Sequence, residues 1–140
     1  MKTCKIYKGA IIVNGSFVFE MLGGDFSTFA KGAYKHLGID YPKFFKMDAL
    51  SKLAFLGVEY LLEGFSSEEK EGLALVFANH SASLDTDLRH QETIQDPNNY
   101  YPSPAIFVYT LPNICLGEIA IRHGLRTESS FFIFDQYPSE

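Results

Sequence analysis

SSFFIFDQYPSE, Ser129 to Glu140, sets four large apolar side chains in a row: Phe131, Phe132, Ile133 and Phe134. A run without polar alternation is the pattern of a strand covered on both faces, as in parallel sheets flanked by helices. LALVFA, Leu73 to Ala78, has the same character. Strands of this kind alternating with helical segments predict an α/β layer architecture, a mixed central sheet with helices packed on it. The chain's 140 residues amount to one domain, spanning 1–140, with enough length to bury a core.

The remaining elements follow from punctuation. Cys4 to Val13 is expected as one strand ended by Asn14-Gly15, and Gly23-Gly24-Asp25 as a turn. Phe26 to Leu37 reads as a helix with Gly38 as its C-cap and His36 in the last turn, favourable to the helix dipole. Asp48 reads as the N-cap of a second helix, with Leu50, Leu53, Ala54, Gly57 and Leu61 at helical spacing and Gly64 beyond the end. Ser66 to Gly72 is a polar linker. Asn79 to Tyr101 is the most polar part, expected as a short helix and a loop around Asp96-Pro97-Asn98-Asn99. Thr110 is expected to N-cap a helix that holds Pro112 in its first turn and stops at Gly124.

Composition narrows the function classes. The chain is 46% hydrophobic and 21% charged, and its formal charge of −5 argues against a nucleic-acid partner, which needs a basic face. Thirteen Phe and eight Tyr, without Trp, make it rich in the side chains that dominate cores and interfaces. No apolar stretch reaches the ~20 residues of a membrane span. At the N-terminus the apolar patch Ala10 to Val13 is too short for a signal peptide, so a cytoplasmic protein is expected.

Chemistry-bearing residues are few. Cys4 and Cys115 form no CxxC pair, and Cys115 in a helix reads as a small buried apolar side chain rather than a nucleophile. HSASLDTDLRHQE crowds His80, Asp85, Asp87, His90 and Glu92 into thirteen residues. Asp87 and His90 share a helix face at i, i+3, but His80 lies outside that register, so a solvated polar face outweighs a metal site on His80, Asp87 and His90. No cofactor is expected.

PSPAIFVYTLPNICLGEIAIRHGLR, Pro102 to Arg126, resembles the β-ketoacyl synthase family, condensing enzymes of the thiolase fold. The resemblance is carried by Ser103-Pro104, Thr110, Asn113, Gly117, Ile119-Ala120-Ile121 and Gly124-Leu125-Arg126. Weaker likeness extends through Lys46-Met47-Asp48, which resembles the opening of the family's second major helix, and through LALVFANHSASL. It implies a thiolase-like half-fold in which Pro104, Asn113, Gly117 and Gly124 are scaffold. Gly117 inside a helix, about 1 kcal/mol worse than Ala, is expected to permit close packing, and Asn113 to hold free backbone donors or a neighbouring loop.

In that family the strand after Gly-Leu-Arg runs into the nucleophilic cysteine at a helix start. Counted without gaps from Gly124, that position is Gln136, with Thr127-Glu128 where the family has Gly-Pro. Glutamine there marks chain-length-factor subunits and decarboxylating loading synthases. The family's catalytic histidines come from the second half of its fold, and none of His36, His80, His90 or His123 lies in a matching motif. Tyr137-Pro138-Ser139-Glu140 is too short for the helix that follows the nucleophile.

The expectation is a truncated, catalytically incomplete β-ketoacyl-synthase-like protein. It would be an accessory or chain-length-factor-like partner in carrier-protein-dependent fatty acid or polyketide synthesis, of the aryl polyene type. Phe131, Phe132, Ile133 and Phe134 would lie at the interface of a homodimer or of a heterodimer with a full-length synthase, with acyl carrier protein as a further partner. The alternatives are decarboxylase or acyltransferase activity through Gln136 or Cys115 in a composite site, a small metal-binding module, and a domain fragment of a longer chain.

Overall fold

The structure is a computed structural model that describes residues 1–136. The fold is mixed α/β, and its strands fall into two sheets, one of three antiparallel strands and one of two parallel strands, instead of joining in one central sheet. The chain divides into two compact units, Met1–Phe65 and Ser66 onward. The segment 137–140, read above as too short for a helix, lies outside the described residues.

In the first unit β1 (Cys4–Tyr7), β2 (Ala10–Val13) and β3 (Ser16–Glu20) form a meander. The single strand expected over Cys4 to Val13 is a hairpin. Tyr7 pairs Ala10 across Lys8-Gly9, and Val13 pairs Ser16 across Asn14-Gly15. Both residues of each turn have positive φ (46° and 79°, then 50° and 81°), the two-residue geometry that suits the twist of antiparallel strands. Asn-Gly is the recognisable form of that turn; Lys-Gly hides it.

Helix α1 (Phe26–Leu37) ends at left-handed Gly38, the C-cap expected, and starts where Asp25, read above only as part of a turn, accepts from the Thr28 N–H at 2.8 Å. After a 3-10 turn (Pro42–Lys46), Asp48 caps α2 (Ala49–Leu62) by accepting from the Ser51 N–H at 2.9 Å. The buried residues of α2 are Ser51, Phe55, Leu56, Val58, Glu59 and Tyr60. The stripe expected from spacing is the less buried one, and Leu53 is exposed. The aromatics decide the face, because Tyr34, Phe44, Phe55 and Tyr41 pack in succession with ring centroids 4.7, 5.4 and 5.5 Å apart.

In the second unit the polar stretch after Phe65 is not all linker. Ser66 and Glu69 close a reciprocal capping box on α3 (Ser67–Lys70). Strand β4 (Leu75–Asn79) is followed by α4 (Leu84–Ile94), α5 (Pro104–Val108) and α6 (Ile114–His123), and β5 (Ser129–Ile133) then pairs parallel to β4 with Phe77 opposite Phe131. Thr110 does not cap α6. Its hydroxyl donates to the Phe107 carbonyl at 2.6 Å, closing the end of α5, so the interruption at Pro112 separates two helices.

Among the described residues no helix is long and apolar enough to cross a membrane. The expectation that the apolar strands are covered on both faces fails. Leu75 is buried, but Val76 is 67% exposed and Phe132 48%. A sheet of two strands has too little width for helices to cover both faces.

Candidate functional site

Open parallel sheets carry their chemistry beyond the carboxyl ends of the strands. Here that edge is formed by Asn79 to Ser83, leaving β4, and by Phe134 to Gln136, leaving β5. The Phe134 N–H donates to the Asn79 carbonyl at 3.0 Å, holding the two exits together. The Asn79 side chain donates to the Ala82 carbonyl at 2.8 Å and accepts from the Ala82 N–H at 2.9 Å. That clamp fixes Ala82 at φ 49°, a left-handed conformation unfavourable to a residue with a Cβ. His80 Nδ1 and Ser81 Oγ are 3.0 Å apart on the exposed side of the turn. Gln136 is exposed just past the end of β5, in a bend of the chain.

A groove of about 520 Å³ runs between α6 and β5, lined by Pro112, Asn113, Leu116, Gly117, Ser129, Phe131 and Ile133. Phe131 and Ile133 face it, because residues two apart share a strand face. Val76 and Phe132 form the opposite face, where Phe132 and Phe134 stack with centroids 6.1 Å apart. Of the four residues expected at an interface, Phe132, Ile133 and Phe134 are exposed and Phe131 is half-buried.

The four scaffold residues divide. Pro104 occupies the first turn of α5, where Ser103 Oγ accepts from the Ile106 N–H at 3.3 Å. Gly124 takes φ 67° as the C-cap of α6, and the Leu125 N–H closes the turn on the Ala120 carbonyl. Asn113 occupies the N-cap position of α6, but its side chain makes no capping hydrogen bond. Gly117 does not serve close packing among the described residues, since a Cβ added there meets nothing within 4 Å. Its missing side chain instead leaves the groove wall open.

The other candidates are placed apart. Cys115 is buried, and its thiol donates to the Pro112 carbonyl at 3.1 Å, so it offers no accessible nucleophile. Asp87 and His90 lie on α4; Asp87 accepts from the Ser83 hydroxyl at 3.2 Å, and the His90 ring packs at 5.4 Å from Phe107. Among the described residues no three His, Cys, Asp or Glu side chains gather as a metal site.

Sequence reasoning passed over two polar clusters. Lys70 Nζ lies 3.4 Å from His123 Nδ1, joining α3 to the end of α6. Spacing gives no sign of it, since 53 residues separate the two. In the first unit the Tyr60 hydroxyl and His36 Nδ1 are 2.9 Å apart, and the Tyr60 ring is 2% exposed. Burial pushes the Tyr60 pKa up to about 12, assisted by the charges of Glu63 and Cys4. Burial also raises the Cys4 thiol, against a small opposing effect of Lys2, so it stays protonated and unreactive at neutral pH.

The linkage has one sign. Tyrosine in the unfolded chain loses its proton near pH 10, and folded Tyr60 near 12, so the unfolded state binds fewer protons between these values. Stability is expected to be fully present below about pH 10 and to fall as pH rises toward 12. Urea midpoints measured across that window should decline less in Tyr60→Phe. An equal decline in the variant would remove Tyr60 as the cause.

No family model, curated protein or solved structure matches this chain.

Proposed function

We propose that this chain is a β-ketoacyl-synthase-like subunit with a thiolase-like half-fold, catalytically incomplete by itself. It acts as an accessory, chain-length-factor-like partner of a full-length synthase in carrier-protein-dependent fatty acid or polyketide synthesis in the cytoplasm. The observation that supports this reading best is the open sheet of β4 and β5. An apolar strand leads to Gln136, a side chain that cannot act as a nucleophile but can hydrogen-bond a carbonyl or its surroundings. Val76, Phe132 and Phe134 are exposed on the sheet face turned away from the groove, an apolar surface of the kind that protein partners cover. The same surface would accept a second copy of the chain, which is the homodimer form of the proposal. The burial of Cys115 removes it from the alternative acyl-transfer reading and leaves Gln136 as the residue a composite site would use.

The test is co-purification with a companion synthase and acyl carrier protein, followed by product analysis with and without this chain. Phe132→Asp should abolish the association while the isolated chain stays folded, because that side chain is already half exposed. Gly117→Ala should leave the isolated chain as stable or up to about 1 kcal/mol more stable, since it adds helix propensity in open space. The same change should weaken association if the partner enters the groove. If neither protein binds, and product length and yield are unchanged by adding the chain, the accessory role fails.

A further inference from the structure

A second cavity, of about 440 Å³, lies between α3 and the turn that joins α6 to β5, lined by Ser67, Glu71, His123, Gly124, Arg126 and Thr127. Its walls are anchored on both sides. On one side the capping box fixes α3, and the Leu73 N–H donates to the Lys70 carbonyl at 3.1 Å. On the other, the Thr127 hydroxyl donates to the Leu73 carbonyl, and the Leu75 N–H donates to the Glu128 carbonyl at 3.2 Å. Arg126 is thereby held between the left-handed C-cap of α6 and the first residues of β5.

The charges in this cavity are unusual for an acidic chain. Arg126 lines it, and Lys70 brings a second cation to its edge by contacting His123 at 3.4 Å. One carboxylate, Glu71, faces them. Among the described residues, the Arg126 guanidinium, the Ser67 hydroxyl and the Glu71 carboxylate make no hydrogen bond or ion pair. The end of a helix dipole attracts cations, which accounts for Arg122 in the last turn of α6, but Arg126 lies beyond it. From this we infer a binding site for a small organic carboxylate. The Arg126 fork matches the two oxygens of a carboxylate, and Ser67 supplies a further donor. Two cations against Glu71 leave a net charge that one carboxylate neutralises, whereas a phosphate dianion would bring its second charge against Glu71. The site does not depend on the partnership proposed above.

Titration of the whole chain with butyrate, followed by proton–nitrogen correlation spectra, tests the inference. Saturable shifts at the Arg126 and Thr127 amides and the His123 ring are expected. Arg126→Ala should raise the dissociation constant about tenfold or more, and Arg126→Lys, which keeps the charge without the fork, should lie between. Arg126 is exposed, so both variants should keep the wild-type spectrum elsewhere. Absence of saturable shifts, or equal binding by Arg126→Ala, overturns the site. Inorganic phosphate binding as tightly as butyrate overturns its assignment to a carboxylate.

Discussion

Phe55→Ala is expected to cost about 3–5 kcal/mol, the usual range for deleting a fully packed aromatic ring. Phe55 is 1% exposed and lies between the rings of Phe44 and Tyr41, at 5.4 and 5.5 Å. Truncation removes its transfer energy and leaves a ring-sized void that the stacked aromatics cannot fill without losing their own contacts. Small domains are held by about 5–15 kcal/mol, so such a loss is a large share of the stability available to the unit formed by Met1–Phe65. Leu53→Ala on the same helix is the control. Leu53 is exposed, and its loss should stay below about 1 kcal/mol. Denaturant midpoints of the two variants separate the aromatic face from the leucine stripe as the structural face of α2. A larger loss at Leu53 would reverse the assignment.

That pair also shows where the sequence was legible. The end of α1 and both ends of α2 could be read because Gly38, Asp48 and Gly64 each act on backbone groups within a few residues of themselves. The face of α2 could not, because nearly every turn of ALSKLAFLGVEYLL carries an apolar residue, and tertiary aromatic contacts choose among them. The strand at Ser129 to Ile133 was legible as a strand, but its surroundings were not. An apolar run is shared by a strand buried between helices and by one with an exposed face, and Phe132 is on an exposed face. For the candidate site, local punctuation located Gly124 as a helix C-cap, whereas Gln136 was singled out only by what the family resemblance implies. The Asn79–Ala82 clamp and the Lys70–His123 pair were invisible for opposite reasons. The clamp acts over three residues with no motif of its own, and the pair joins residues 53 apart.

Gly9→Ala is expected to cost about 3 kcal/mol, roughly twice the cost of the same change at Gly15. Both glycines close two-residue turns in the meander, with φ 79° and 81°, so an alanine at either incurs the left-handed penalty of about 1–2 kcal/mol. They differ in what the new methyl meets. At Gly15 there is nothing within 4 Å, whereas at Gly9 the Cβ would stand 2.4 Å from the Met21 carbonyl oxygen. That oxygen belongs to backbone, so no rotamer change relieves the clash. The strand end is held in place as well, because the Met21 N–H donates to the Gly9 carbonyl at 2.8 Å. Relief requires breaking that bond and shifting the segment that leads from β3 into α1. The shift would also disturb the Met21 side chain, whose methyl packs against Gly32 in space that a Cβ there would fill. Thermal melts of the two single variants compare the turns directly, with the conformational penalty common to both. Equal losses would mean that Met21 yields at little cost, and that the β1–β2 turn is held by its own dihedral angles alone.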